Sequence, residues 1–219
     1  MCLIILQTNP DIHVKKKNLL SAYNNNPHGV GIAVVDDGIL KPYKGMPDFN
    51  SFYSLYKDLL DYKSPMLVHF RFCSHGDIDI SNTHPFMVAD DLVFAHNGVI
   101  DMPSDHTKSD TKVFCDEVLR NIPRDTFNSP GIWRMMQLAV GKSVLVFMFA
   151  DGKYMIVNER RGHWDREHEI FYSNNSYEQQ NYYTPVHSIT INCGGCSKLL
   201  KTEPSNMSHV PMCDECLRS

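Results

Sequence analysis

Short apolar segments separated by turn signals recur along most of the chain, and they limit it to a fold rich in β-strands. Most of these segments contain β-branched or aromatic residues, which favour strands. Asp36-Asp37-Gly38 and Asp151-Gly152 each lie between two such segments and predict hairpin turns. The predicted strands cover residues 2–6, 30–35, 39–43, 66–72, 92–95, 143–149, 154–157 and 169–172.

Four other segments predict helices, and they set the fold class. The clearest begins near Ser109 or Asp110, either of which can cap it, and Val113, Phe114 and Val118 then recur at helical spacing. Several hairpins combined with a few helices predict an α+β layered domain rather than a doubly wound parallel sheet. The predicted helices cover residues 15–23, 50–60, 109–120 and 131–139.

Length and charge narrow the class of protein further. A chain of 219 residues can form one substantial core, with or without a small appendage. Its net charge of −4 gives no overall basic field that would favour nucleic acid, and no apolar run is long enough to predict a membrane span. The start lacks the basic region of a secretory signal, and the seven cysteines are an odd number, which disfavours a disulfide framework. We therefore expect a cytoplasmic protein.

Cys2 becomes the N-terminal residue once Met1 is removed, which the small cysteine side chain permits. An N-terminal cysteine carries a nucleophilic thiol and also a base, because its α-amine, with a pKa of about 7.7–8.0, can accept the thiol proton. Taken alone, however, Met1-Cys2 fits a buried, unreactive cysteine of a first strand better. Other segments decide between the two interpretations.

Five short motifs follow Cys2 along the chain. They are NPHGVGIA at 26–33, HFRFCSHG at 69–76, NTHPF at 82–86, FAHNGVI at 94–100 and SDT at 109–111. Together with Cys2 they resemble the class II, or N-terminal-nucleophile, glutamine amidotransferase family, and within it the small stand-alone branch. The resemblance implies the four-layer αββα sandwich of the Ntn hydrolases.

The resemblance assigns catalytic roles to Cys2, Asn97 and Gly98. Cys2 would attack the side-chain amide of glutamine, while the Asn97 amide and the Gly98 backbone N–H would hold the oxyanion. Glycine also permits backbone conformations that are closed to other residues. Asn-Gly is independently a strong hairpin-turn signal, and a turn is compatible with the catalytic role.

Four further residues are expected to bind the substrate. Arg71 ends an apolar strand and can clasp the α-carboxylate of glutamine with its planar fork, and Asp110 can receive the α-ammonium. The alternatives are a surface ion pair for Arg71 and helix capping for Asp110, and the resemblance favours the substrate roles. Ser74 keeps the hydroxyl of the threonine in the family pattern Arg-x-x-Thr-x-Gly, and His75 follows it at the expected binding site.

Several other polar residues near the motifs receive no catalytic role. His69, His84 and His96 form no clear metal-ligand pattern and are expected to be hydrogen-bonded structural residues. Two positions depart from the family pattern. His28 replaces an acidic residue, and Lys112 stands where some relatives are acidic, so no acidic contact is expected at either position.

The C-terminal segment carries a cysteine pattern of its own. Cys193 and Cys196 form one CxxC pair, Cys213 and Cys216 form another, and 16 residues separate the two pairs. This spacing resembles a zinc ribbon with four cysteine ligands, whereas redox chemistry would not need two matched pairs. Bound Zn²⁺ would supply folding energy that so short a segment lacks, and a closed four-ligand site favours a structural or partner-docking role.

These observations predict two domains and one main activity. A type-2 glutamine amidotransferase domain is expected at residues 2–186 and a zinc-ribbon-like module at 187–219. The expected reaction converts glutamine to glutamate and ammonia through a γ-glutamyl thioester on Cys2, with the ammonia passed to an acceptor on a synthetase or other partner chain.

Two alternative functions stay open. The substrate can be a γ-glutamyl bond in another small molecule, or the fold can be catalytically silent while the zinc ribbon binds protein or nucleic acid. The few basic residues of the ribbon are offset by acidic ones, so they do not form a convincing phosphate-binding patch.

The zinc prediction has a direct check. Metal analysis of protein purified without chelator should find stoichiometric zinc, because four thiolates at this spacing bind the ion tightly. Protein that is folded and contains no zinc would contradict the assignment.

Overall fold

The structure, a computed structural model, describes residues 2–46, 48–73, 76–102 and 107–178, and the backbone of 189–192 and 199–202. The chain divides into two units, of which the first spans Met1–Gln179. The strands of the first unit are β1 (Leu3–Gln7), β2 (Val30–Asp36), β3 (Ile39–Lys44), β4 (Met66–Phe70), β5 (Phe86–Ala89), β6 (Leu92–Asn97), β7 (Val144–Phe149), β8 (Tyr154–Val157), β9 (His163–Asp165) and β10 (Ile170–Tyr172). Its α-helices are α1 (Lys16–Asn25), α2 (Phe49–Leu59), α3 (Asp110–Glu117) and α4 (Pro130–Ala139).

Two antiparallel sheets form the framework of this unit. The larger sheet has the strand order β3-β2-β4-β1-β10-β9, and the smaller has the order β5-β6-β7-β8. In the larger sheet Leu3 of β1 lies opposite Phe70 of β4, and Ile5 lies opposite Tyr172 of β10. Because the pairing is antiparallel, the N-terminal end of β1 lies beside the C-terminal ends of β4 and β10. The residues that follow those two strands therefore come close to Cys2.

The central strand β1 is buried on both faces. Leu3 and Ile5 belong to one hydrophobic cluster, Ile4 and Leu6 belong to another, and all four side chains are fully buried. Successive side chains of a strand point to opposite faces, so a strand covered on both sides reads as an unbroken apolar run. This explains why the sequence LIIL gives so clear a strand signal.

Three hydrophobic clusters show how the elements stack. The first joins α1 and α2 to one face of the larger sheet, where the rings of Phe52 and Phe70 lie 5.2 Å apart. The second contains buried residues of the two sheets alone. The third joins α3 and α4 to the outer face of the smaller sheet, where the rings of Trp133 and Phe147 lie 5.2 Å apart. The predicted α+β class is confirmed, and the layer order is helix, sheet, sheet, helix.

Several predicted boundaries need correction. The strand predicted at 66–72 ends at Phe70, because the N–H groups of Phe72 and Cys73 bond to side chains of Cys2 and His28 instead of a neighbouring strand. The helix predicted at 109–120 ends at Glu117, and a short 3₁₀ turn follows. Strands β5 and β9 were not predicted, since each is short and carries at most one β-branched residue.

The second unit spans Gln180–Ser219. Two strands in it, β11 (Ile189–Asn192) and β12 (Leu199–Thr202), pair with each other in antiparallel register. The predicted boundary between residues 186 and 187 and the four cysteines of the predicted zinc ribbon lie outside the described residues. The two-domain division at that boundary and the zinc ribbon therefore stay predictions.

Gly31 of β2 allows the NTHPF segment to approach the larger sheet. A Cβ atom at this position would lie 2.1 Å from the backbone oxygen of His84, and a backbone atom cannot be displaced cheaply. We expect Gly31→Ala to lower the free energy of unfolding in urea by about 1–3 kcal/mol or more, as overpacking does. Gly131→Ala in α4 is the matched control, because its Cβ would meet only Ser129 Oγ at 3.5 Å. Equal effects of the two substitutions would contradict this account.

Candidate active site

Cys2 lies directly before β1 and is held from both sides by the ends of neighbouring strands. The Phe72 backbone N–H donates to the Cys2 Sγ at 3.3 Å, and the thiol lies 3.4 Å from the Phe72 carbonyl oxygen. On the other side, the Asn174 side-chain amide donates to the Cys2 carbonyl oxygen at 2.7 Å. Cys2 as a whole is half-buried, and these hydrogen bonds hold it in place.

Two of the predicted substrate-binding residues, Arg71 and Asp110, affect the pKa of the Cys2 thiol. Burial raises its pKa, while the hydrogen bond from Phe72 and the positive charge of Arg71 lower it, and the negative charge of Asp110 raises it. The net shift is upward, so the thiol needs a base to become the thiolate. The charges of Arg71 and Asp110 both act on this sulfur, so the two side chains lie near Cys2.

Asn97 ends β6, and its side chain contacts Ser173, which follows β10. Its side chain is buried, and its Nδ2 donates to Ser173 Oγ at 3.0 Å. The same oxygen accepts the backbone N–H of Ile4 at 2.9 Å. One hydroxyl therefore joins the Asn97 amide to β1, two residues beyond Cys2.

Gly98 follows with a φ of +143°, a conformation that other residues adopt only under strain. A Cβ here would lie 2.3 Å from Ser143 Oγ and 2.9 Å from the Ser143 backbone, so space also restricts the position to glycine. The next strand of the sheet begins only at Val144, so Asn97-Gly98 is not the two-residue hairpin turn that the sequence also allowed.

Arg71 is buried directly after β4, with 3% of its surface exposed. Its Nη1 donates to the Asp77 carbonyl oxygen at 2.8 Å, and its Nη2 lies 3.5 Å from Cys73 Sγ. The alternative interpretation of Arg71 as a surface residue is therefore wrong. A guanidinium can offer a planar set of N–H donors to a carboxylate.

The choice between Ser109 and Asp110 as the cap of α3 is settled. Ser109 Oγ accepts the Lys112 N–H, so Ser109 is the cap and Asp110 is the first helical residue. The Asp110 carboxylate accepts the N–H groups of Ile100 at 2.8 Å and Thr111 at 2.7 Å. These bonds fix the carboxylate at the helix N-terminus and leave it lone pairs for a further donor.

A cluster of three buried histidines lies next to this site, and His96, beside Asn97, belongs to it. The rings of His69 and His84 are 4.0 Å apart, and those of His84 and His96 are 6.3 Å apart. His69 Nε2 bonds to the His96 carbonyl oxygen, and His96 Nδ1 bonds to Thr111 Oγ1. All three side chains are at most 3% exposed. Their hydrogen bonds agree with the structural role predicted from the sequence.

Three residues at the site received no role from the sequence. Ser173 and Asn174 follow β10 and contact the Asn97 amide and the Cys2 carbonyl. His28 Nδ1 accepts the Cys73 N–H at 2.8 Å, which supports the backbone beside Cys2. Two polar residues after a short strand, such as Ser173 and Asn174, do not indicate these contacts in the sequence. His28 lies inside the NPHGVGIA motif, where the sequence marked it only as a departure from the family pattern.

Some predicted residues cannot be placed. Ser74, His75 and the four cysteines of the predicted zinc ribbon lie outside the described residues. Within the described ranges, no group of three or more histidine, cysteine or acidic side chains could hold a metal ion. No helix in the part of the chain that the structure describes is long and apolar enough to cross a membrane.

A cavity of about 690 Å³ opens elsewhere, between α4 and β8. Its walls include Trp133, Phe149 and Tyr154, and two of its cations, Arg124 and Lys153, are paired with Asp91 and Asp151. Large size alone does not make it the reactive centre, and it contains none of the residues around Cys2.

Comparison with known proteins supports the fold. No protein-family model matches the sequence, and no curated protein matches it. Among solved structures, a glutamine phosphoribosylpyrophosphate (PRPP) amidotransferase from B. subtilis, complexed with ADP and GMP, is similar with a TM-score of 0.51 and 16% sequence identity. The match covers 78% of this chain and 41% of that chain, so this chain spans less than half the length of that protein. The likeness shows that the two share a fold.

The histidine cluster generates a prediction about pH. Burial lowers the pKa of His69 to about 3 and that of His96 to about 4, and lowers that of His84 well below its usual value. Near pH 6.5 each of these histidines therefore binds a proton in the unfolded chain but not in the folded chain. The free energy of unfolding consequently falls as the pH falls. Between pH 6.5 and 5.5 the free energy of unfolding should fall by about 1 kcal/mol for each histidine.

Urea unfolding at the two pH values measures this loss. His84→Asn keeps an acceptor for the His96 N–H, which His84 Nδ1 accepts at 3.3 Å, and removes one titrating ring. The variant should lose about 1 kcal/mol less than the wild type over the same interval. His13→Asn, at an exposed position, is the matched control. A pH dependence unchanged by His84→Asn would contradict the prediction.

Proposed function

We propose that this chain is a class II glutamine amidotransferase that hydrolyses the side-chain amide of glutamine at Cys2 and releases glutamate and ammonia. The observation that carries the proposal is the convergence, on the thiol of half-buried Cys2, of the charges of buried Arg71 and buried Asp110. The Asn97-Gly98 pair is tied to the same strand through Ser173. The fold shared with a glutamine amidotransferase gives independent support.

Substrate binding follows from the charges around the thiol. Free glutamine carries an α-carboxylate and an α-ammonium in addition to its amide. Arg71 offers a planar set of donors to the carboxylate, and Asp110 offers an acceptor to the ammonium. Because both side chains are buried, their interactions with the substrate are stronger than they would be in water. This pair selects a zwitterionic α-amino acid group, and Ser74 and His75 are proposed to complete the contacts.

The first chemical step forms a covalent bond. After removal of Met1, the α-amine of Cys2 accepts the thiol proton, and the sulfur attacks the amide carbon of glutamine. The amide oxygen becomes an oxyanion, which accepts hydrogen bonds from the Asn97 side chain and the Gly98 backbone N–H. The α-ammonium then gives its proton to the leaving nitrogen. Ammonia departs, and a γ-glutamyl thioester remains on Cys2.

The second step releases the product. Water attacks the thioester carbonyl while the α-amine accepts a proton from it, and the same donors hold the second oxyanion. When the C–S bond breaks, the sulfur recovers the proton and glutamate leaves. The atoms balance as glutamine and water giving glutamate and ammonia.

The fate of the ammonia and the role of the C-terminal segment extend the proposal. We propose that a partner chain with a synthetase or other acceptor site receives the ammonia, and that Zn²⁺ on the four cysteines stabilises a docking module.

A γ-glutamyl bond in another small molecule is the second candidate substrate. The partial exposure of Cys2 favours it, because a larger leaving group needs space beside this residue.

The reaction is tested by ammonia release from glutamine. Cys2→Ala should reduce the rate by more than about 1,000-fold, because it removes the nucleophile from which both steps proceed. Cys115→Ala is the matched control. This cysteine is buried among the residues under α3, and burial raises its pKa to about 11, so it should not contribute to the reaction. Equal rates for wild type and Cys2→Ala would end the proposed mechanism.

The N-terminus provides a second readout in the same preparations. Intact mass should show that active protein lacks Met1, because a retained methionine blocks the α-amine that serves as the base. Full activity in protein that retains Met1 would exclude the α-amine from this role.

A further inference from the structure

Ser173 and Asn174 join the two halves of the proposed active site. Ser173 N–H donates to the Ile4 carbonyl oxygen at 3.0 Å, and the Ser173 hydroxyl oxygen accepts the Ile4 N–H at 2.9 Å. The adjacent Asn174 amide donates to the Cys2 carbonyl oxygen at 2.7 Å. These contacts extend the pairing between β10 and β1 beyond Tyr172 and hold the nucleophile against the larger sheet.

The same Ser173 hydroxyl reaches across to the smaller sheet. It accepts a hydrogen bond from Asn97 Nδ2 at 3.0 Å, and Ser173 is 3% exposed. The other end of the amide, Asn97 Oδ1, is buried and has no hydrogen-bond partner among the described residues. The bond to Ser173 is therefore the one hydrogen bond that the described residues make with the amide.

Orientation of this amide decides whether it can act as a donor. A side-chain amide carries two N–H protons and one carbonyl oxygen, and rotation by half a turn exchanges the nitrogen with the oxygen. With one proton held by Ser173, the second proton of Nδ2 stays available for an oxyanion. After a half turn the oxygen would occupy that position, and it would repel an oxyanion instead of stabilising it.

We propose that Ser173 is a positioning residue for the glutaminase reaction, which turns Asn97 Nδ2 toward the oxyanion and sets its distance from Cys2. This inference rests on the proposed function, since it assigns Ser173 a task within that mechanism. Ser173 touches no reacting atom and acts through Asn97. Its hydroxyl fixes the spacing between the oxyanion donor and the nucleophile, because it binds Asn97 on one sheet and Ile4, close to Cys2, on the other.

A second buried hydroxyl in the same unit provides a matched control. Tyr56 OH accepts the Val14 N–H at 3.0 Å and donates to Gln7 Oε1 at 2.7 Å, so it also joins a backbone N–H to a side-chain amide. It lies in the cluster beneath α2 and not among the residues around Cys2. Tyr56→Phe therefore removes equivalent hydrogen bonds from the fold without changing the site.

The experiment measures steady-state glutamine hydrolysis in the full-length protein. Ser173→Ala should lower kcat by about 10-fold or more with KM changed little, because an oxyanion donor acts in the transition state alone. Ser173→Thr, which keeps the hydroxyl, should recover most of the lost kcat. Tyr56→Phe should reduce stability and leave kcat unchanged. A wild-type kcat in Ser173→Ala, or an equal loss of kcat in Tyr56→Phe, would overturn the proposal.

A double-mutant cycle distinguishes positioning from an independent effect. Asn97→Ala removes the donor itself and should lower kcat by about 100- to 1,000-fold. Adding Ser173→Ala to that variant should change kcat little further, since Ser173 then has no amide to orient. Losses that multiply in the double variant would show that Ser173 acts by another route and would overturn the proposal.

Neutron diffraction from a deuterated crystal gives a readout that does not depend on activity. It distinguishes nitrogen from oxygen, and Asn97 Nδ2 should face Ser173 Oγ. An amide with Oδ1 facing Ser173 would overturn the inference. If no preparation releases ammonia, including the wild type, the proposed function fails, and the neutron map still decides the orientation of the amide.

Discussion

Strand β1 lies between β4 and β10 in antiparallel register, and the position of the proposed nucleophile depends on this pairing. Its four apolar residues Leu3, Ile4, Ile5 and Leu6 are fully buried, and each such side chain contributes about 1.5–3 kcal/mol relative to exposure. A backbone hydrogen bond contributes about 0.5–1.5 kcal/mol net. Burial therefore holds the strand in the fold, while the hydrogen bonds fix its register and place Cys2 at the N-terminal end of this inner strand.

The site is assembled from strand ends that converge because the two sheets pack face to face. Arg71 follows β4, Asn97 ends β6, and Asp110 begins α3, while Ser173 follows β10. Each side chain projects from, or adjoins, an element that contributes buried residues to at least one of the three clusters. A rigid framework of this kind can hold the thiol, the proposed oxyanion donor and the two proposed substrate-binding side chains at fixed distances, as catalysis by positioning requires.

Much of this arrangement was predictable from the sequence, and the remainder has a physical explanation. Continuous apolar runs identified β1 and β7, and the motifs pointed to Cys2, Arg71, Asn97 and Asp110 as neighbours. The capping of α3 needed the structure, because Ser109 and Asp110 are equally good caps by residue type.

Ser173 and Asn174 were not predictable. Ser173 is 169 residues from its partner Ile4, and the contact exists only because β10 pairs with β1. Short strands without β-branched residues, such as β9, were missed because their pairing is set by neighbouring strands and not by local propensity.

The central claim is that glutamine forms a covalent bond with Cys2, and intact-protein mass spectrometry after rapid acid quench tests it most directly. Protein quenched while it consumes glutamine should carry a γ-glutamyl adduct on a chain that lacks Met1, and peptide mapping should place the adduct on Cys2. In the first turnover Asn97→Ala should form the adduct more slowly than the wild type, because formation of the thioester passes through the oxyanion. Ammonia release without any adduct, or with an adduct on another cysteine, would contradict the account.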